Sequence, residues 1–324
     1  MKTLVLSMIS IAATVAAMTA CTSESDGIDD LTKDAPVEIK AKAGILTIET
    51  KSTGPISGTG TVIDNVAFVK QEAEESAAIT WSTATPTSAT IDADGNIEFT
   101  PTLYYPANEA TFAYLVGYHP LQNGTTITSE GKVPFNITGN EDIMYAPVQK
   151  GNKATAKLTG DAALLAPKFE HKLSQLIIKI KGDDAAATAW GKITSISIVN
   201  VQKELELDLN NGELSAKNET KTNLPLTLNA SYTYGEIPAE ATPVGYSMVL
   251  PQNSAHKVII TTDNYENKEV DITIPASADN SRPQDATLAG ESYTITLTFS
   301  ASNISAKATV DPWKPVENGA GFVE

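Results

Sequence analysis

Residues 291–299, Glu-Ser-Tyr-Thr-Ile-Thr-Leu-Thr-Phe, alternate apolar and hydroxyl side chains. A strand turns successive side chains to opposite faces, so Tyr293, Ile295, Leu297 and Phe299 share one face and the threonines the other. That is a half-buried strand, and β-branched threonine suits its solvated side. Val270, Ile272 and Ile274 repeat the period, as do Val258 and Ile260. The denser apolar runs at 110–118 (ATFAYLVGY) and 173–180 (LSQLIIKI) predict central strands. Turn signals fall between such runs at Asp94-Gly95, Asn123-Gly124, Thr138-Gly139-Asn140 and Asn211-Gly212. Long helical periodicity is nearly absent. Residues 70–79 (KQEAEESAAI) fit one or two helical turns and a polar loop equally well. Many short strands with regular turns predict an all-β sandwich architecture, and 324 residues leave room for it twice. The expected organisation is two domains, 36–160 and 161–324, with a break at Gln149–Ala154 or near Gly160-Asp161.

The first twenty residues are of another kind. Lys2 precedes an apolar run from Leu4 to Ala20, which gives way at once to Thr-Ser-Glu-Ser-Asp-Gly. A basic start, an apolar middle and small residues at the end describe a secretory signal peptide over 1–20. An uncleaved membrane anchor is the alternative, and the length of the run is marginal for one. Met18-Thr19-Ala20-Cys21 resembles a bacterial lipobox, which implies cleavage before Cys21 and acylation of its sulfur and new amine. Cys21 is the only cysteine, so no disulfide within the chain is possible. A lipid anchor accounts for a lone thiol in this place better than a free core cysteine does. Each buried methylene contributes about 0.8 kcal/mol to membrane binding, so several acyl chains hold firmly. Residues 21–35, acidic and small, read as a flexible tether.

A net charge of −16 and a single arginine, Arg282, disfavour nucleic acid and anionic lipid as partners. Chemistry is not in sight either. His119, His171 and His256 stand far apart, outside any metal-ligand spacing, and read as structural. Asp92-Ala-Asp-Gly95 resembles the start of a calcium loop, but lacks the third oxygen ligand and the downstream glutamate, so it predicts a hairpin turn. Gly58-Thr-Gly60 lacks the third glycine of a dinucleotide loop. Neither a nucleophile elbow nor a zinc helix occurs. The expectation is a non-enzyme without cofactor or metal.

Several segments, in order, are similar to the fimbrillin family, the type V pilins and Mfa-like lipoproteins of Bacteroidales. They are Glu98-Phe-Thr-Pro-Thr-Leu-Tyr-Tyr-Pro106 with Phe112-Ala-Tyr-Leu-Val-Gly-Tyr-His-Pro120, then Asp142-Ile-Met-Tyr-Ala146. Phe169-Glu-His-Lys-Leu-Ser174 and the ending from Gly290-Glu-Ser-Tyr293 to Val310-Asp-Pro-Trp313 complete the set. Core packing by Tyr104, Tyr105, Phe112, Tyr114 and Trp313 is the plainer reading of the same residues, and both hold in a scaffold protein.

The resemblance implies two transthyretin-like β-sandwich domains in tandem, export as a lipoprotein, and display on the outer membrane. It also implies assembly with other pilus subunits by proteolysis-triggered strand exchange. A removed strand would leave an open edge and an apolar groove, which a neighbour's strand satisfies. Here the strand is expected within Val37–Thr50, with Val37, Ile39, Leu46 and Ile48 filling the groove. With no arginine before Arg282, a trypsin-like cut falls after Lys51, or else after Lys42; Lys51 also reads simply as a solvated loop residue. The tail 314–324 offers Phe322 and Val323 as contacts, but its proline and two glycines weaken it as a donor, which favours an anchor, accessory or tip subunit over a repeating stalk subunit. The alternative is a non-polymerising surface lipoprotein acting as an adhesin or glycan-binding module for a host or bacterial ligand. A hydrolase is a third reading, without positive support in the sequence.

Overall fold

The computed structural model describes residues 35–45, 62–82, 84–122, 124, 126–159, 164–278 and 282–312. Among them are twenty strands and two short helices. The first half of the chain gives β1 (Ala41–Lys42), β2 (Gly44–Ile45), β3 (Ile63–Glu74), β4 (Thr87–Ile91) and β5 (Asn96–Thr100). It continues with β6 (Thr111–His119), β7 (Lys132–Asn136), β8 (Met144–Asn152), helix α1 (Lys153–Thr159) and β9 (Lys168–His171). The second half has β10 (Ser174–Gly182), helix α2 (Asp184–Trp190), β11 (Ile193–Gln202), β12 (Glu204–Asp208) and β13 (Leu214–Ala216). Then follow β14 (Lys221–Pro225), β15 (Thr227–Leu228), β16 (Thr242–Val249), β17 (Lys257–Thr262), β18 (Lys268–Thr273), β19 (Glu291–Phe299) and β20 (Ile304–Pro312).

Three sheets result. The first has the order β1-β5-β4-β3-β6-β8-β9-β2, and the second β14-β11-β17-β18-β20-β19-β10-β16-β15. Each ends on two strands that are neighbours in sequence: only Ala43 separates β1 from β2, and only Leu226 separates β14 from β15. One segment therefore joins both edges of each sheet and closes it, which removes two free edges at once. The strand β9 lies beyond residue 160 and still belongs to the first sheet, while β10 opens the second.

The third sheet, β13-β12-β7, takes strands from both halves. Leu205 pairs with Phe135 and Leu207 with Val133, and all four side chains are buried. The β12–β13 hairpin from the second half thus lies on β3 and β6 of the first, where Ala67, Val69, Tyr114, Val116 and Tyr118 face it. The opposite faces of β3 and β6 supply Val66, Phe68, Ala113 and Leu115 to a second core inside the first sheet. Burial on both faces explains why residues 110–118 read as a dense apolar run. Close fit at the hairpin needs Gly212: its φ is +73°, and a Cβ there would come within 2.3 Å of the Tyr145 ring.

The all-β sandwich expectation matches this architecture, and residues 94–95 make the expected hairpin turn between β4 and β5. Residues 70–79 do not form a helix. Lys70–Glu74 complete β3, paired from Lys70↔Leu115 to Glu74↔Thr111. Propensity for helix in KQEAE yields to twelve residues of strand pairing.

Each histidine ring lies against a neighbouring polar group. His119 Nδ1 lies 2.8 Å from the Asp142 carbonyl, and His171 Nδ1 lies 2.9 Å from Asp142 Oδ1. His256 Nε2 lies 3.1 Å from Thr287 Oγ1 in the second half. Among the described residues no group of three His, Cys, Asp or Glu side chains is placed to hold a metal. Burial pushes the His256 pKa down to about 4. Its neutral form is the one the fold accepts, so stability is full above the unfolded histidine's pKa of about 6.5 and is lost as pH falls towards 4. Denaturant unfolding is expected to show a loss of about 3 kcal/mol between pH 7 and pH 4 that His256→Gln lacks.

Candidate functional site

The segment Pro36–Ile45 overlaps the strand expected at Val37–Thr50. Its side chains alternate: Ile39 and Ala41 are buried, Val37 and Ala43 are half-buried against the same core, and Glu38 and Lys42 are exposed. The backbone is bonded on both flanks. On one side Tyr105 N donates to Val37 O (2.9 Å), Ile39 N to Leu103 O (2.8 Å) and Ala43 N to Gly95 O (2.7 Å). On the other, Lys42 N donates to Leu165 O (2.9 Å) and Gly44 N to Pro167 O (2.8 Å). Pairing is antiparallel to β5 and parallel to β9. The segment is thus a strap that closes the first sheet, running through the gap between its edges.

Beneath the strap lies an aromatic core. The Phe68 ring meets Phe99 at 5.3 Å and Phe169 at 5.9 Å, both edge-on. Ile39, 1% exposed, joins Ile63, Ile91, Ile97, Phe99, Leu165 and Phe169 in this core. Burying an isoleucine side chain contributes about 1.5–3 kcal/mol. The strap supplies that burial and satisfies edge groups of β5 and of residues 165–169 that would otherwise face solvent. Without it a groove with two open edges remains.

Of the residues singled out in the sequence, Val37 and Ile39 are brought to the groove, with Ala41 and Ala43 as further inward residues that alternation alone picks out. Cys21, Leu46, Ile48, Lys51, Phe322 and Val323 lie outside the described residues. Arg282 is 3% exposed: its Nε lies 3.3 Å from Glu291 Oε2, and its guanidinium stands over the Tyr293 ring at 5.6 Å.

A sequence profile of fimbrillin-like proteins matches residues 50–313. The chain belongs to the fimbrillin-like family. Membership makes it a structural, non-enzymatic protein of the cell surface. No curated protein sequence matches it. Among solved structures it is similar to a candidate cell-adhesion protein from Bacteroides uniformis, at 19% identity and TM-score 0.57, covering 87% of this chain and 99% of that one. A second candidate cell-adhesion protein, from Bacteroides ovatus, matches at 16% identity and TM-score 0.53, covering 87% and 100%. A fimbrial protein from Bacteroides vulgatus matches at 12% identity and TM-score 0.50, covering 85% and 99%. At these identities the likeness is one of fold. The strap precedes the residues that the fimbrillin-like profile matches.

Proposed function

We propose that this chain is a fimbrial subunit, exported as a lipoprotein on Cys21, held at the outer membrane, and built into a pilus by exchange of its strap for a neighbour's strand. The observation that carries the reading is the strap itself. A single short segment closes the first sheet, and its main contacts are backbone hydrogen bonds and one deeply buried isoleucine. Any strand with alternating apolar residues meets the same edges. The corresponding closure of the second sheet, β14 and β15, is internal to the chain and cannot leave by a single cut.

The bonding of the strap argues against a cut within it. Both amides of the Lys42–Ala43 pair are engaged, one on each flank, so this peptide is not free to enter a protease as an extended strand. Arg282 is buried in its ion pair. We take Lys51, the first lysine after the strap, as the maturation site. The second reading, a surface lipoprotein that does not polymerise and binds a ligand instead, draws on the glycine- and proline-containing tail. Mass and N-terminal sequence of material sheared from the native surface separate the two. Polymerisation gives sheared protein beginning at Ser52. Retention of a lipidated Cys21 on every molecule would leave an anchor subunit of the pilus or the second reading.

A further inference from the structure

The end of the second sheet farthest from β9 presents an aromatic ring that the fold does not need for closure. In the parallel β10–β19 pair, Gln175↔Ser292 lies at the end that follows directly from β9, and Gly182↔Phe299 lies at the other. At that far end Trp190 packs edge-on against Phe299 at 5.8 Å, and its indole Nε1 donates to Ser300 O at 2.7 Å. Tyr265, at the tip of the β17–β18 hairpin, lies on Trp190 with ring centroids 4.4 Å apart and planes at 43°. Trp190 is buried, whereas Tyr265 is 46% exposed.

The tip is held unusually well for an exposed turn. Thr262 N donates to Tyr265 O (2.8 Å), Asp263 N to Lys192 O (2.9 Å), and Lys192 N to Asp263 Oδ2 (3.0 Å). Asn264 Nδ2 donates to Ala189 O at 3.0 Å. Gly191, at φ +72°, permits the approach, since a Cβ there would fall 2.8 Å from Asp263 Cβ. A fixed aromatic face costs little conformational entropy when something docks on it. The surrounding exposed side chains carry more acid than base: Asp263, Glu266 and Glu236 against Lys268 and Lys192, the latter ion-paired to Glu236 at 3.5 Å. Carboxylates and amides beside an aromatic face suit a ring bearing hydroxyls, and the sign of the charge disfavours anionic ligands.

We propose that Tyr265, backed by Trp190, is the stacking platform of a binding site for a neutral pyranose. The sugar's C–H face lies on the Tyr265 ring, and Asp263, Asn264 and Glu266 take its hydroxyls. The site does not depend on whether the chain polymerises. The intact protein is titrated with methyl β-galactopyranoside, methyl α-mannopyranoside and N-acetylglucosamine, with N-acetylneuraminic acid as the anionic counterpart. The Trp190 indole N–H and Tyr265 ring resonances are followed. The expected result is a saturable shift of both with at least one neutral pyranoside and none with the anionic sugar. Tyr265→Phe keeps the face and binds within about twofold of the parent, while Tyr265→Ala weakens binding about tenfold or more. Absence of any shift at tens of millimolar neutral sugar overturns the proposal. So does binding of the anionic sugar alone, or a Tyr265→Ala variant that binds as the parent does.

Discussion

Leu207→Ala is expected to lower the unfolding free energy by about 2–5 kcal/mol and to do so in both halves of the molecule together. Leu207 is fully buried on β12, between Val133 of β7 and Leu214 of β13. Its side chain belongs to the core that runs from Tyr118 and Trp81 in the first half to Leu205 and Leu209 in the second. A cavity among these close-packed side chains weakens the contact that joins β7 to the second half. Urea unfolding followed by far-ultraviolet circular dichroism and by calorimetry checks this. The account expects one transition at lower urea. Two transitions, with the second half unmoved, would mean that the hairpin only rests on the first half.

Ile39→Asp is the second large effect, and it acts on the strap rather than the whole fold. The position is 1% exposed among Phe99, Phe169, Ile97 and Leu165. An unpaired carboxylate in such surroundings is not tolerated, and loss of the isoleucine's packing alone costs about 2–5 kcal/mol. The strap then leaves the groove while the rest of the fold stays intact, because its backbone bonds do not offset a buried charge. Lys42, with both flanking amides released, becomes a cleavage site for a lysine-specific protease. Mass spectrometry after limited digestion reads the new cut. An Ile39→Asp protein that still protects Lys42 would show that backbone pairing alone holds the strap.

Much of this was legible in the residues, for particular reasons. The threonine-flanked alternation of residues 291–299 is β19 as read, since a half-buried strand shows its period directly. Val37 and Ile39 announced an inward face for the same reason. Ala41 and Ala43 continue that face but carry little hydrophobic signal of their own, whereas the bulkier Leu46 and Ile48 stand out in the sequence. The strand character of Lys70–Glu74 was hidden because its residues favour helix locally and only pairing with β6 overrides them. The union of β7 with β12 left no mark at all. Its partners lie about seventy residues apart, and each strand by itself reads as an ordinary member of its own half. Closure of each sheet by one segment, at 41–45 and again at 221–228, is likewise a property of the assembled sheets.

The central claim is that the strap leaves the groove for assembly, and a reversible lock tests it most directly. Lys42 and Asn96 are opposite residues of β1 and β5, both exposed, and the bonded pair next to them is Ala43–Gly95. They form a non-hydrogen-bonded antiparallel pair, whose Cα atoms stand about 4.5 Å apart, within reach of a disulfide. The only native cysteine is Cys21. Cells displaying the Lys42→Cys, Asn96→Cys protein are sheared with and without reductant present during assembly, and the polymer is measured. The account predicts no incorporation of the oxidised subunit and recovery of polymer on reduction. Oxidised, strap-locked subunits found in sheared polymer as abundantly as the parent would contradict it.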